Sequence, residues 1–110
     1  MVLIKKANGA SVLKDIPGFL GLEFEFCPRE IDVVEYMKTH GTREQRVIEI
    51  AESLFPNQSK DVFLYSTLSR IHGVKLVNRR EDFVEIKGHK IKQVFWSATE
   101  EVINLEIKQE

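Results

Sequence analysis

Cys27 and three histidines, His40, His72 and His89, are the side chains of this 110-residue chain best suited by type to nucleophilic or metal chemistry. Their spacing argues against both. No two of them stand four apart on one helix face, as a zinc pair would. His40 and His72 each precede a glycine at a predicted helix end, where a cationic imidazole suits the helix dipole, and His89 falls in a predicted turn. Cys27 stands just before a predicted helix start, whose positive end favours anions, yet a cysteine is more often a small packed residue than a nucleophile. Glu23 and Glu25 share one face of a predicted strand and could form an acidic cluster with Glu30 or Asp32, although an exposed sheet face explains them as well. The six glycines are scattered, and none falls in a G-x-x-x-x-G-K or G-x-G-x-x-G phosphate loop. No cofactor is expected by those routes.

Glu85-Ile86-Lys87 resembles the E-x-K half of the metal-dependent nuclease motif of restriction-endonuclease-like proteins, in which carboxylates hold Mg²⁺ beside a lysine and an attacking water. The resemblance covers three residues. The preceding segment Val74-Lys75-Leu76-Val77-Asn78 has no carboxylate for the partner position, and Asp82 lies on the other face of the strand from Glu85. A metal-dependent enzyme is therefore the third reading, behind two binding functions.

Both binding functions use the same region, in which Asp82–Lys87, Gly88-His89 and Lys90–Trp96 read as a β-hairpin. A glycine opening a two-residue loop suits a type II′ turn. That register pairs Ile86 with Ile91, Glu85 with Lys92 and Phe83 with Val94, and sets Lys87 opposite Lys90. Val84, Ile86, Ile91 and Phe95 then share one face, the expected core side. The opposite face carries Phe83, Lys90, Lys92, Val94 and Trp96, a mixture of aromatic and cationic groups suited to a protein interface. Phe83, Lys90, Lys92 and Trp96 are the partner-binding candidates, and self-association is one form of that function. The second reading is nucleic-acid binding in the manner of a winged helix-turn-helix, since three helices precede the hairpin. It would use a third helix from about Lys60 to His72, with Lys60, Ser66, Thr67, Ser69 and Arg70 toward the groove, and Lys87, His89 and Lys90 on phosphates.

Charge distribution bears on both. Sixteen basic and seventeen acidic residues give a formal net charge of −1, too little positive charge for a domain that holds nucleic acid by bulk charge alone. The stretch 14–55 is acidic, 66–93 basic and 94–110 acidic again. Such runs usually mark solvated faces.

The elements that must position these residues are legible from periodicity. Leu22, Phe24 and Phe26 alternate with Glu23 and Glu25 as a strand, and Val2–Lys5 suggests another. A helix opening at Pro28 buries Ile31, Val34 and Met37 and stops at Gly41. Thr42-Arg43-Glu44-Gln45 fits a capping box for a second helix, with Val47, Ile50, Ala51 and Leu54 inward before Pro56. The third buries Leu64, Leu68 and Ile71 and stops at Gly73. Val74–Val77, the hairpin and Ile103–Lys108 read as further strands joined in a C-terminal meander, with Ser97–Glu100 as the last connection. The expectation is one α+β domain over 1–110, with three helices on a mainly antiparallel sheet of about five strands. A single cysteine requires no oxidising compartment, and the apolar start at Met1 is too short for a signal peptide, so a cytoplasmic protein outside the membrane is expected.

Overall fold

The computed structural model describes residues 1–19, 21–57 and 62–110. The α+β class holds, with helix and strand in the order β1 (Val2–Lys5), β2 (Ser11–Lys14), β3 (Phe24–Phe26), α1 (Pro28–His40), α2 (Val47–Leu54), α3 (Val62–Gly73), β4 (Val77–Ile86), β5 (His89–Ala98), α4 (Glu100–Ile103) and β6 (Glu106–Gln109). The strands form two sheets rather than one. Four of them make a sheet in the order β3-β2-β1-β6, and β4 pairs only with β5.

The first sheet corrects the expected meander. β6 leaves the hairpin behind and lies parallel to β1, with Leu3 opposite Ile107. β2, not anticipated, stands between the two N-terminal strands and is antiparallel to both. Its turn from β1 is closed by Lys6 N–H donating to the Ala10 carbonyl at 2.9 Å and Ala10 N–H donating to Asn8 Oδ1 at 3.1 Å. Leu3, Leu13 and Phe26 from this sheet meet Ile31, Val34 and Met37 of α1 and Leu64, Leu68 and Ile71 of α3 in one buried cluster, so the helical stripes read from the sequence are the core.

α1 begins as expected, with Pro28 in its first turn and Glu30 Oε1 accepting from the Cys27 N–H at 3.1 Å. α2 starts later than the Thr42 capping box implied. Arg46 is its cap, and Glu49 Oε1 accepts from the Arg46 N–H at 3.3 Å. Gln45 is thereby freed for another use. α3 ends at Gly73, and two residues further on Lys75 takes the left-handed conformation (φ 63°). Lys75 N–H donates to the His72 carbonyl and Leu76 N–H to the Ile71 carbonyl, both at 3.0 Å, the paired bonds of a Schellman cap. Val74 and Leu76 are buried in this cap, and only Val77 of the expected strand 74–77 joins β4. The connection read over Ser97–Glu100 contains the start of α4, capped by Thr99 Oγ1 accepting from the Val102 N–H.

β4 and β5 form a ribbon of ten residues per strand. Its turn is Lys87-Gly88, not Gly88-His89, so Ile86 pairs with His89, Val84 with Ile91 and Glu85 with Lys90. Both turn residues have positive φ, 52° and 79°, which makes the turn type I′ rather than II′. The observed register replaces the like-charge Lys87–Lys90 pair of the expected one by the opposite charges of Glu85 and Lys90. A shift of two positions leaves every side chain on its expected face.

Candidate functional site

The ribbon is held by its root. Trp96, fully buried, lies opposite Arg79. Its ring meets Tyr65 and His72 of α3 edge-on, with centroids at 5.9 Å and 6.3 Å, and the Arg79 guanidinium sits 5.8 Å from it. Gln45 closes the outer edge of β5. Its N–H donates to the Trp96 carbonyl at 2.9 Å, and its carbonyl accepts from the Trp96 N–H at 2.8 Å. The Gln45 side chain is itself buried, with Oε1 accepting from the Tyr36 hydroxyl at 2.6 Å and Nε2 donating to the His40 carbonyl at 2.8 Å. One step further, Ala98 N–H donates to the Gly41 carbonyl at 2.7 Å. Gly41 permits this approach, because a Cβ there would stand 2.5 Å from the Met37 carbonyl oxygen and 3.0 Å from Ala98 Cβ.

Two ionic clusters follow on opposite faces. Glu81 lies between Arg79 Nη1 at 2.6 Å and Lys92 Nζ at 3.0 Å. Hydrogen bonds from Lys92 and then Arg79 hold its carboxyl below the usual carboxylate range. On the other face Arg80 joins Glu44 at 2.7 Å and Asp82 at 3.1 Å, with its guanidinium 4.7 Å from the Phe95 ring. The Asp82 carboxyl is also held low, by the Phe83 N–H first and Arg80 second. Each cluster joins the strands to one another or to the loop before α2.

Beyond Asp82 and Gln93 the ribbon runs on without cover. Phe83 is 64% exposed, Ile86 46% and Ile91 44%, and Val84 is half-buried opposite Ile91. Lys87, His89 and Lys90 are exposed there, and none of them forms an ion pair among the described residues. The molecule is accordingly elongated, with principal extents of 52, 33 and 20 Å.

The structure thus divides the partner-binding candidates. Phe83, Lys90 and Lys92 are exposed, Lys92 being tied to Glu81, while Trp96 is core. The expected core face is corrected with it: Ile86 and Ile91 are exposed, because among the described residues no other element covers that part of the ribbon. Of the nucleic-acid candidates, Lys60 lies outside the described residues. Arg70 is engaged by Glu30 Oε1 and Oε2 at 2.9 and 3.0 Å and by the Glu25 carbonyl at 2.7 Å, and Thr67 is buried. Lys87, His89 and Lys90 gather at the ribbon tip. Glu85 and Lys87 of the E-x-K stretch are exposed in the same tip. Cys27 is exposed beside the Glu30–Arg70 pair, in a cleft of about 390 Å³. His40 stacks on Tyr36 at 5.1 Å and, with Thr39, Arg43 and Gln45, lines an open cleft of about 500 Å³.

Among the described residues no group of three His, Cys, Asp or Glu side chains gathers as a metal site, and no helix is long and apolar enough to cross a membrane. Set against protein-family models, curated proteins and solved structures, the chain matches none. The sequence missed Gln45 because Thr42–Gln45 fits a capping box so well. It missed Ile86 and Ile91 as surface because alternation marks which residues share a face and not which face is covered.

Proposed function

We propose that this chain is a non-catalytic protein-interaction module whose contact element is the outer half of the hairpin, Asp82–Gln93. The observation that carries this reading is the exposure of Phe83, Ile86 and Ile91 on a two-stranded ribbon with a rigidly built root. Two strands without a third, or without a packed face, are marginal in water. An apolar ribbon projecting from a folded body gains most by being covered, since each of these side chains is worth about 1.5–3 kcal/mol on full burial. Phe83 on one face and Val84, Ile86 and Ile91 on the other supply area, and Lys87, His89 and Lys90 supply direction.

A photoreactive phenylalanine analogue at position 86, compared with position 103 on α4, tests this in cells that make the protein. Ile103 is exposed to a similar degree but lies on the body. Defined protein adducts from position 86 alone are expected. Equal capture from both positions, or nucleic acid captured at the tip, overturns the reading. Nucleic-acid contact is favoured by one observation, the three exposed basic side chains at the tip, none of them in an ion pair among the described residues, and its mark is affinity that falls steeply with salt and with Lys87→Ala or Lys90→Ala.

A further inference from the structure

We infer that the open cleft between α1 and α2 binds a small hydroxylated phosphomonoester, with its phosphoryl group on Arg43, His40 and Thr42. The inference is independent of the role proposed for the hairpin, since none of the described residues lining the cleft belongs to the ribbon. Charge is its first support. The stretch 14–55 is acidic as a whole, yet no Asp or Glu is among the described residues lining this cleft of about 500 Å³. Among the described residues Arg29, Arg46, Arg70, Arg79 and Arg80 each hold a carboxylate or an aromatic ring, and Arg43 alone holds neither. The carboxylates closest to it in sequence are engaged elsewhere, Glu44 by Arg80 at 2.7 Å and Glu49 by Arg46 at 2.9 Å. Arg43 therefore brings an uncompensated charge to the cleft.

The donors are of the right kind. The His40 ring nitrogens and the Thr42 hydroxyl form no hydrogen bond among the described residues, and both residues line the cleft with Arg43. A guanidinium fork, an imidazole N–H and a hydroxyl suit the three acceptor oxygens of a phosphoryl group better than the two of a carboxylate. The carbonyls at the end of α1 that would repel an anion are covered, Met37 by the Gly41 N–H and His40 by Gln45 Nε2. Thr39 and Ser53 act in the opposite sense. Their hydroxyls donate to the Glu35 and Glu49 carbonyls at 2.6 and 3.2 Å, so toward the cleft they can only accept, which calls for hydroxyl groups on the carbon part of the ligand. The loop that carries Thr42 and Arg43 is also rigid. Main-chain bonds pin it to Ala98 at Gly41 and to Trp96 at Gln45, and the Gln45 side chain ties it to Tyr36 and His40. A site built this way has little freedom left to lose on binding.

The test titrates the purified full chain with glycerol phosphate, inorganic phosphate and acetate at constant ionic strength, and follows backbone amides and histidine rings by nuclear magnetic resonance. Saturable shifts at His40, Thr42 and Arg43 are expected, with glycerol phosphate binding tightest and acetate weakest. No saturable shift, or shifts centred on the basic tip of the ribbon, overturns the site. Acetate binding as tightly as phosphate overturns the phosphoryl assignment, and inorganic phosphate binding as tightly as the ester overturns the hydroxylated part. Arg43→Gln is expected to weaken glycerol phosphate binding about tenfold or more, through the loss of charged hydrogen bonds. Arg43→Lys should recover part of it, keeping the charge without the fork. Lys108→Gln removes an exposed cation that does not line the cleft, and should change affinity by less than about twofold at that ionic strength. An equal loss in Arg43→Gln and Lys108→Gln overturns the inference, because the attraction would then be general. Circular dichroism confirms that each variant is folded. Capture from position 86 reads the role of the hairpin separately, so either reading can fail while the other stands.

Discussion

The root and the tip of the hairpin are one ribbon with one ladder and one alternation of side chains, yet Trp96 at the root is fully buried while Phe83, on the same face nearer the tip, is two-thirds in solvent. What differs is the neighbourhood. At the root α3 covers one face with Tyr65 and His72, and the Gln45 main chain covers an edge, whereas at the tip none of the described residues does either. A strand pattern therefore fixes which side chains act together, and the reach of the other elements fixes whether they act as core or as surface. The contrast is sharpest in truncation. Trp96→Ala is expected to cost about 3–5 kcal/mol, as large aromatic-to-alanine changes in cores do, and Phe83→Ala less than about 0.5 kcal/mol as a surface change. Urea unfolding followed by far-ultraviolet circular dichroism measures both. Comparable losses at the two positions would mean that the tip is packed on the body after all. Because Trp96 Nε1 is buried without a hydrogen-bond partner among the described residues, Trp96→Phe loses volume and no bond, and its loss is expected to be well under half that of alanine.

Gln45 is the next most sensitive position. Truncation to alanine leaves the main-chain bridge to Trp96 in place but strips the Tyr36 hydroxyl and the His40 carbonyl of their partner. The expected cost is about 1–3 kcal/mol, two hydrogen bonds lost at about 0.5–1.5 kcal/mol each. Thermal unfolding of Gln45→Ala beside Tyr36→Phe checks the origin, since in the double variant the two effects should fall short of their sum.

These two residues also mark the boundary of what the sequence made legible. The helical stripes of α1 and α3, the proline that opens α1 and the existence of the hairpin could be read from it, because each depends on neighbours a few residues away. β2 could not. Ser11, Val12 and Leu13 are all buried, so the period-two signal is absent from its four residues. β6 was legible only in part: of the strand read over Ile103–Lys108, Ile103 closes α4 and the strand begins at Glu106, and its parallel pairing with β1 could not be read at all. Trp96 illustrates the same limit in the site itself: its face was right, and its burial depends on Gln45 and on α3, contacts that no local pattern encodes. The turn was placed one residue late because Gly88 satisfies either hairpin type, and the choice rests on the cross-strand charges it brings together.

That choice leaves Lys87 in the left-handed region at φ 52°, a conformation in which asparagine and glycine are less strained. Lys87→Asn is expected to stabilise the hairpin by about 0.5–1 kcal/mol. The gain should appear as slower amide exchange at Val84 and Ile91 near the tip and as little change at Trp96, because the root is held by other contacts. An equal gain at both ends would mean that the ribbon opens as one unit rather than fraying from its tip.

The smallest expected effect concerns the ionic cluster at the junction of the two halves. In the folded chain Glu81 carries a carboxyl held low by Lys92 and Arg79, and a carboxyl lowered on folding adds stability above its unfolded value. That contribution is fully present at neutral pH. It begins to fade near the ordinary glutamate value of about 4.3 and is gone below the folded one. Glu81→Gln removes the titrating group. The gap in urea midpoint between Glu81→Gln and the native chain should therefore be open at neutral pH and close on acidification, and high salt should narrow it, since the cluster is exposed to solvent. Trp96 emission is the appropriate probe, because the indole lies against Arg79. A gap that stays open in acid would mean that Glu81 acts by its shape and hydrogen bonds rather than by its charge. The boundary between root and tip would then be drawn by packing alone.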